Sequence, residues 1–215
     1  MKKSRFTPVP VLLSVLCACL FFAFSTLKAE DSVLPATVIP APLGVLKRID
    51  GGLEIRRSGQ VLAAKEGDAV YAGDQLKTGA SDRTLLELSV DKSQVSIAFD
   101  SVLILTNPEK KNGGQPGLSL IRGLMWGLKT SAGSGLNIKT PAADLTVLSA
   151  EYFVKVPAPD QTELVVKEGT VDIRYEEFNV RAGNMSQVTL QKGKQPMTQG
   201  ITEKLLNEQW AQRFA

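Results

Sequence analysis

The chain has 215 residues, 43% of them apolar and 22% charged, enough for one or two domains with a real core and too apolar for a disordered chain. Its formal net charge is only +3, and no basic patch interleaved with aromatics suggests a nucleic-acid partner. It has no histidine and two cysteines, which disfavours His-dependent catalysis and the commonest zinc sites.

The N-terminus reads as an export signal. Lys2, Lys3 and Arg5 precede an uncharged stretch from Phe6 to Leu27, and a small residue, Ala29, stands where a peptidase would cut. Residues 1–29 are therefore expected to be a signal peptide. The same stretch is long enough to span a bilayer uncleaved, and Leu16-Cys17-Ala18-Cys19 offers a third outcome, acylation of Cys19. Both cysteines lie in this segment, so a chain cut after Ala29 has no thiol or disulfide. Loss of Lys2, Lys3, Arg5 and Lys28 with the leader also takes the net charge from +3 to about −1. Location in the periplasm or elsewhere in a bacterial envelope follows as an expectation.

Residues 30–42, "EDSVLPATVIPAP", carry three prolines and no sustained period, which predicts an extended linker. From Leu43 the texture changes to short apolar alternations broken by Gly, Asp, Asn and Ser, the pattern of strands joined by turns. Gly67-Asp68, Gly73-Asp74 and Gly79 lie between short apolar pieces. Glycine there supplies positive φ and aspartate bonds the following backbone, so these residues predict turns. Asp68, Asp74 and Asp82 do not have the alternate spacing of a calcium loop, and the glycines do not match a phosphate-binding loop.

Leu86, Leu88 and Val90, then Val95, Ile97 and Phe99, alternate on either side of "DKS" and predict a hairpin with all six facing one core. In "LIRGLMWGLKT", Trp126 stands as a core aromatic or an exposed platform. Leu164 and Val166, a Glu168-Gly169 turn, and Val171, Ile173 and Tyr175 predict a second hairpin, with Lys167, Asp172 and Arg174 on its wet face. Glu176-Glu177 would point to opposite faces of a strand, which does not make an acid–base pair unless the chain bends there. After the flexible-looking "QKGKQPMTQG", the spacing of Ile201, Leu205, Leu206, Trp210 and Phe214 predicts one amphipathic helix.

The fold expected from these patterns is all-β, with hairpins rolled into a twisted sandwich or short β-solenoid and one C-terminal helix. The domain spans residues 43–190, and residues 191–215 form a tail.

The order Gly44, Gly67-Asp68, Gly73-Asp74-x-Leu76-x-Thr78-Gly79, Arg83, Leu86-x-Leu88, Val95, Leu118-x-Leu120-x-x-Gly123, Thr140-Pro141 and Tyr152-x-Val154-x-Val156 resembles the FecR domain family over about residues 43–185. Ser149-Ala150 stands where that family usually has Gly-Thr. The resemblance implies a non-enzymatic, mostly β module outside the cytoplasmic membrane, of the kind that relays a signal towards a sigma factor. With only MKKSR ahead of the hydrophobic segment, it implies a stand-alone exported module rather than a complete transmembrane sigma regulator. No cofactor and no metal is expected. Envelope proteins are the expected partners, with Trp126, Leu206, Trp210 and Phe214 as candidate contact residues. A glycan- or polymer-binding module is the alternative and a carboxylate-based hydrolase a distant third.

Overall fold

The computed structural model describes residues 41–107, 117–131, 133 and 135–210, with side chains described to residue 208. The leader with Cys17 and Cys19, linker residues 30–40, Phe214 and the side chain of Trp210 lie outside the described residues.

Period-two alternation generates nearly everything that follows. The strands are β1 (Gly44–Asp50), β2 (Leu53–Arg57), β3 (Gln60–Ala63), β4 (Ala69–Val70), β5 (Gln75–Thr78), β6 (Arg83–Leu88) and β7 (Gln94–Thr106). They continue as β8 (Gly117–Lys129), β9 (Leu136–Lys139), β10 (Asp144–Ala158), β11 (Gln161–Tyr175), β12 (Phe178–Ala182), β13 (Ser186–Gln191) and β14 (Met197–Gly200). Helix α1 (Glu203–Trp210) follows. Among the described residues the strands form one hydrogen-bonded sheet, antiparallel except where β8 meets β9.

Four long strands, β7, β8, β10 and β11, bend midway, and their two halves have different neighbours. The first part of β7 pairs with β6 (Leu86↔Val95), and its last part with β5 (Leu76↔Leu103). Likewise β11 pairs with β13 through Gln161–Val166 and with β12 through Val171–Tyr175. The sheet thus folds over on itself. One continuous core fills the space between its two halves, from Leu46, Leu86, Leu88 and Val95 in one to Leu76, Leu103, Ile138 and Leu145 in the other. The all-β body with one C-terminal helix is as expected from the alternation; of the sandwich and solenoid arrangements left open there, it is a single sheet bent over one core.

The bends have identifiable causes. Gly123 has φ of 97°, and a Cβ there would lie 2.2 Å from Ser101 Oγ, so only glycine lets β8 approach the corner of β7. Ser101 Oγ fills that space, accepting from the Leu124 N–H at 2.8 Å and donating to the Ala98 carbonyl. Gly169 has φ of 98°, and a Cβ there would meet the Ser149 carbonyl at 1.9 Å.

Gly169 therefore differs from expectation. It is the kink inside one continuous strand, β11, and Glu168-Gly169 is no hairpin turn. The hairpins around it turn elsewhere: β10 and β11 join through Pro159-Asp160 (Ala158↔Gln161), and β11 and β12 through Glu176-Glu177 (Tyr175↔Phe178). The two glutamates are turn residues, with Glu176 at φ of 45°. Alternation of side chains alone does not distinguish a kink from a reversal, because both are served by glycine at positive φ.

Two of the six expected core residues are also placed differently. Leu86, Leu88, Val95 and Ile97 are buried, whereas Val90 is 54% exposed in the turn after β6. Phe99 is half-buried at the β7 corner with φ of 42°, the Arg83 guanidinium 5.0 Å from its ring centre. The left-handed residue breaks the alternation just where periodicity would place Phe99 inside. Finally, "QKGKQPMTQG" holds a strand: β14 pairs with β13 (Val188↔Thr198).

Candidate functional site

The glycines and aspartates of residues 67–82 hold backbone. Asp68 Oδ2 accepts from the Lys65 N–H at 2.8 Å, and Asp82 Oδ2 from the Gly79 N–H at 2.9 Å. Gly67 and Gly73 have φ of 88° and 89°. Asp74 is the exception in degree. It is buried, and its carboxylate takes Arg57 Nε at 2.8 Å, Arg57 Nη2 at 2.7 Å and the Tyr71 N–H at 2.8 Å. The guanidinium also lies 4.5 Å from the centre of the Tyr71 ring. Hydrogen bonding to Asp74 raises the Arg57 pKa further. This two-toothed pair ties the β2–β3 hairpin to the β4–β5 turn.

A second buried ion pair closes the β6–β7 hairpin. Lys129 Nζ lies 2.6 Å from Asp91 Oδ2 and 2.9 Å from Ser131 Oγ, with both charged side chains almost fully buried. Burial alone would push the Asp91 carboxyl up, but hydrogen bonds from Lys129 and Ser93 outweigh it and hold the pKa below the usual value. Burial raises the pKa of neighbouring Tyr152, a fully enclosed phenol.

Trp126 and Leu206 are both buried, in one cluster with Phe153, Val165 and Ile201 on the outer side of the sheet. Trp126 is thus no exposed platform.

A recess that could take a ligand lies on the other half of the sheet. A cleft of about 860 Å³ runs across β8, β9, β10, β11 and β12. Strand register produces its chemistry. The inward residues Leu118, Ile138, Leu145 and Ile173 enter the core, which leaves the alternate positions outside in two rows. One row runs Gly117, Asn137, Thr146, Asp172, Arg181 and the other Ser119, Lys139, Asp144, Arg174, Asn179.

Cross-strand contacts order both rows. Arg181 grips Asp172 through Nε at 2.6 Å and Nη2 at 3.1 Å, Arg174 Nη2 meets Asp144 Oδ2 at 2.6 Å, and Thr146 Oγ1 donates to Asn137 Oδ1 at 3.1 Å. The hydrogen bond from Arg181 lowers the Asp172 pKa and raises that of Arg181. Exposed pairs of this kind add little stability. They do hold charges and amides in fixed positions on a concave face, which can be read by polar and charged groups of a partner. The described lining residues include no aromatic ring.

Sequence patterning places Asp172 and Arg174 on a wet face but misses the site as a whole. Its assembly depends on four-residue β9, which turns tightly into β10 and pairs in parallel with β8 (Gly117↔Asn137), a long-range pairing with no local signature.

Residues 74–172 match the family described as FecR protein. No curated protein is similar to the chain. Two crystal structures of candidate anti-sigma factors from Parabacteroides distasonis share the fold. The one solved at 2.50 Å has TM-score 0.55 and 16% identity, covering 64% of each chain. The one solved at 1.65 Å has TM-score 0.53 and 15% identity, covering 62% of each. The alignment thus spans under two thirds of either relative's length.

Proposed function

Residues 74–172 match the FecR protein family, and on that premise we propose that the chain is a regulatory module of the bacterial cell envelope which acts by binding another protein. The observation that carries this reading is the ordered polar face across β8–β12, with Asp144 paired to Arg174, Asp172 paired to Arg181, and Lys139 beside them in the same strand register. Sugar sites favour exposed aromatic platforms, which the described lining of this face does not present, whereas its fixed charges of both signs suit the electrostatic complementarity by which proteins select partners. The fold shared with candidate anti-sigma factors supports a place in signal relay towards transcription.

Purified protein carrying Arg174→Glu and Arg181→Glu, compared with wild type for capture on isolated peptidoglycan and for capture of envelope proteins, tests the reading. Specific retention of an envelope protein by wild type, lost in the double variant while the melting curve is kept, is the expected outcome. Retention on peptidoglycan that the variant shares contradicts it.

Export is part of the proposal, resting on the basic start and apolar stretch of residues 1–29. Intact mass of the protein from cell fractions is expected to begin at Glu30. A diacylglycerol increment on Cys19 identifies a lipoprotein, retained Met1 in the membrane an anchor, and recovery from the cytosol alone refutes export.

A further inference from the structure

One inward row of the sheet runs out of cover at its end. Leu103, Leu76 and Ile55 stand in register across β7, β5 and β2, all buried, and the next residue of the row is Leu62 on β3. Among the described residues β3 pairs with β2 alone, so the row stops there at a free edge, with Leu62 39% exposed. On the opposite face of the same strand Val61 is 57% exposed, and Gln60–Ala63 carry no charge. Edge strands are ordinarily blunted by charge or cover. That holds at β12, whose exposed positions are Asn179 and Arg181, and β14 leaves a single large apolar residue, Met197, beside Thr198 and Gln199. Strand β3 has neither device.

The turn ahead of β3 determines which backbone groups face that edge. Ser58 and Gly59, at φ of 48° and 82°, form a two-residue connection between β2 and β3. In such a hairpin the closing pair, Arg57 and Gln60, exchanges hydrogen bonds, and every second pair after it does the same: Ile55 with Leu62, then Leu53 with Ala64. The Ala64 N–H, which donates to the Leu53 carbonyl at 3.0 Å, fixes that phase. The N–H and C=O groups of Val61 and Ala63 therefore point away from β2, along the free edge.

We propose that β3 is a self-association edge, on which a second copy of this chain pairs its own β3 antiparallel about a two-fold axis at Leu62. The strand is complementary to itself there. The axis sets Val61 opposite the partner's Ala63 and Ala63 opposite the partner's Val61, so the free groups of these residues exchange four hydrogen bonds between copies. Leu62 then faces the partner's Leu62 as a close, non-hydrogen-bonded pair, which carries the inward row of Leu103, Leu76 and Ile55 across the axis into the same row of the second copy. On the outer face Arg56 stands beside Val61 and Glu54 beside Ala63, so each joined row has charges of opposite sign on its two sides, and Lys65 falls opposite the partner's Gly59 rather than another cation. Four residues a side fall short of a standard interface, which buries about 1,200–2,000 Å², so the dimer is a concentration-dependent one. No residue of β3 lines the polar cleft, so this proposal and that of a partner on β8–β12 can fail separately.

Sedimentation of the full-length protein over a range of concentrations is expected to show a monomer–dimer equilibrium. Val61→Pro removes an N–H that points away from β2 and so leaves the β2–β3 ladder intact. It is expected to weaken dimerisation at least about tenfold with the melting curve kept, because each copy loses one hydrogen bond to the other. Val61→Lys, which sets two ammonium groups either side of the axis, is expected to do the same and guards against strain from the proline ring. In cells producing a chain with Cys17→Ala and Cys19→Ala under mild oxidation, Leu62→Cys is expected to give a disulfide-linked dimer and Gln60→Cys is not, since only position 62 meets its own copy. Monomer at every concentration, association indifferent to both Val61 variants, or linkage at position 60 rather than 62 overturns the proposal. A link from position 62 to a different protein also overturns it, by making a foreign strand the occupant.

Discussion

Asp74 shows how much one residue's role depends on what lies far away in sequence. Beside Gly73 it reads as a turn former, and it does accept the Tyr71 N–H, but its burial is sustained by Arg57, seventeen positions earlier. Asp74→Ala strands that guanidinium and the Tyr71 N–H. The expected loss is about 3 kcal/mol in urea denaturation, low for a broken buried pair because Arg57 keeps 35% of its side chain in contact with water. Asp91 makes a pH-dependent contribution. Its carboxyl is held below the ordinary aspartate value, so the stabilisation is complete above about pH 4 and is lost as pH falls through the lower folded value. Stability measured from pH 6 down to 2 should fall less steeply in Asp91→Asn than in wild type; identical slopes would remove Asp91 from the acid response.

At the scale of elements, alternation is a good guide inside a strand and a poor one at its ends. Leu86↔Val95 pairs as the hairpin reading requires, and Leu88 is fully buried one step further. Val90 keeps the period but lies past the end of β6, where the chain turns and no sheet remains to define a face. The contrast is testable by a pair of substitutions. Leu88→Asp puts an unpaired charge in the core and should abolish the cooperative melting transition, whereas Val90→Asp should change stability by no more than about 0.5 kcal/mol. A preserved transition in Leu88→Asp would take β6 out of the core. The same limit explains Gly169: its conformation was legible, but whether the chain reverses or merely bends is decided by Ser149 across the sheet.

For the whole molecule, composition and periodicity were enough for an all-β domain with a terminal helix, and the ordered motifs for the resemblance that the match of residues 74–172 to the FecR protein family bears out. The roll of the sheet was not legible, because it comes from four strands that each serve two sets of neighbours. The polar face follows from that roll. Asn137 and Lys139 on β9 meet Thr146 and Asp144 on β10 across a tight hairpin, but these meet Asp172 and Arg174 on β11, and β9 meets Gly117 and Ser119 on β8, only after distant segments have paired. Loop closure brings such residues together with no mark in local sequence.

The claim that this face engages a protein is tested most directly by a photo-cross-linking residue at position 146, in the middle of the rows, in cells producing the protein at native level. The account predicts one discrete protein adduct from position 146, absent when Arg174→Glu and Arg181→Glu are added and absent from a control at Lys77, which lies outside the cleft lining. Adducts at position 77 equal to those at 146, or adducts at 146 indifferent to the two arginines, would contradict it.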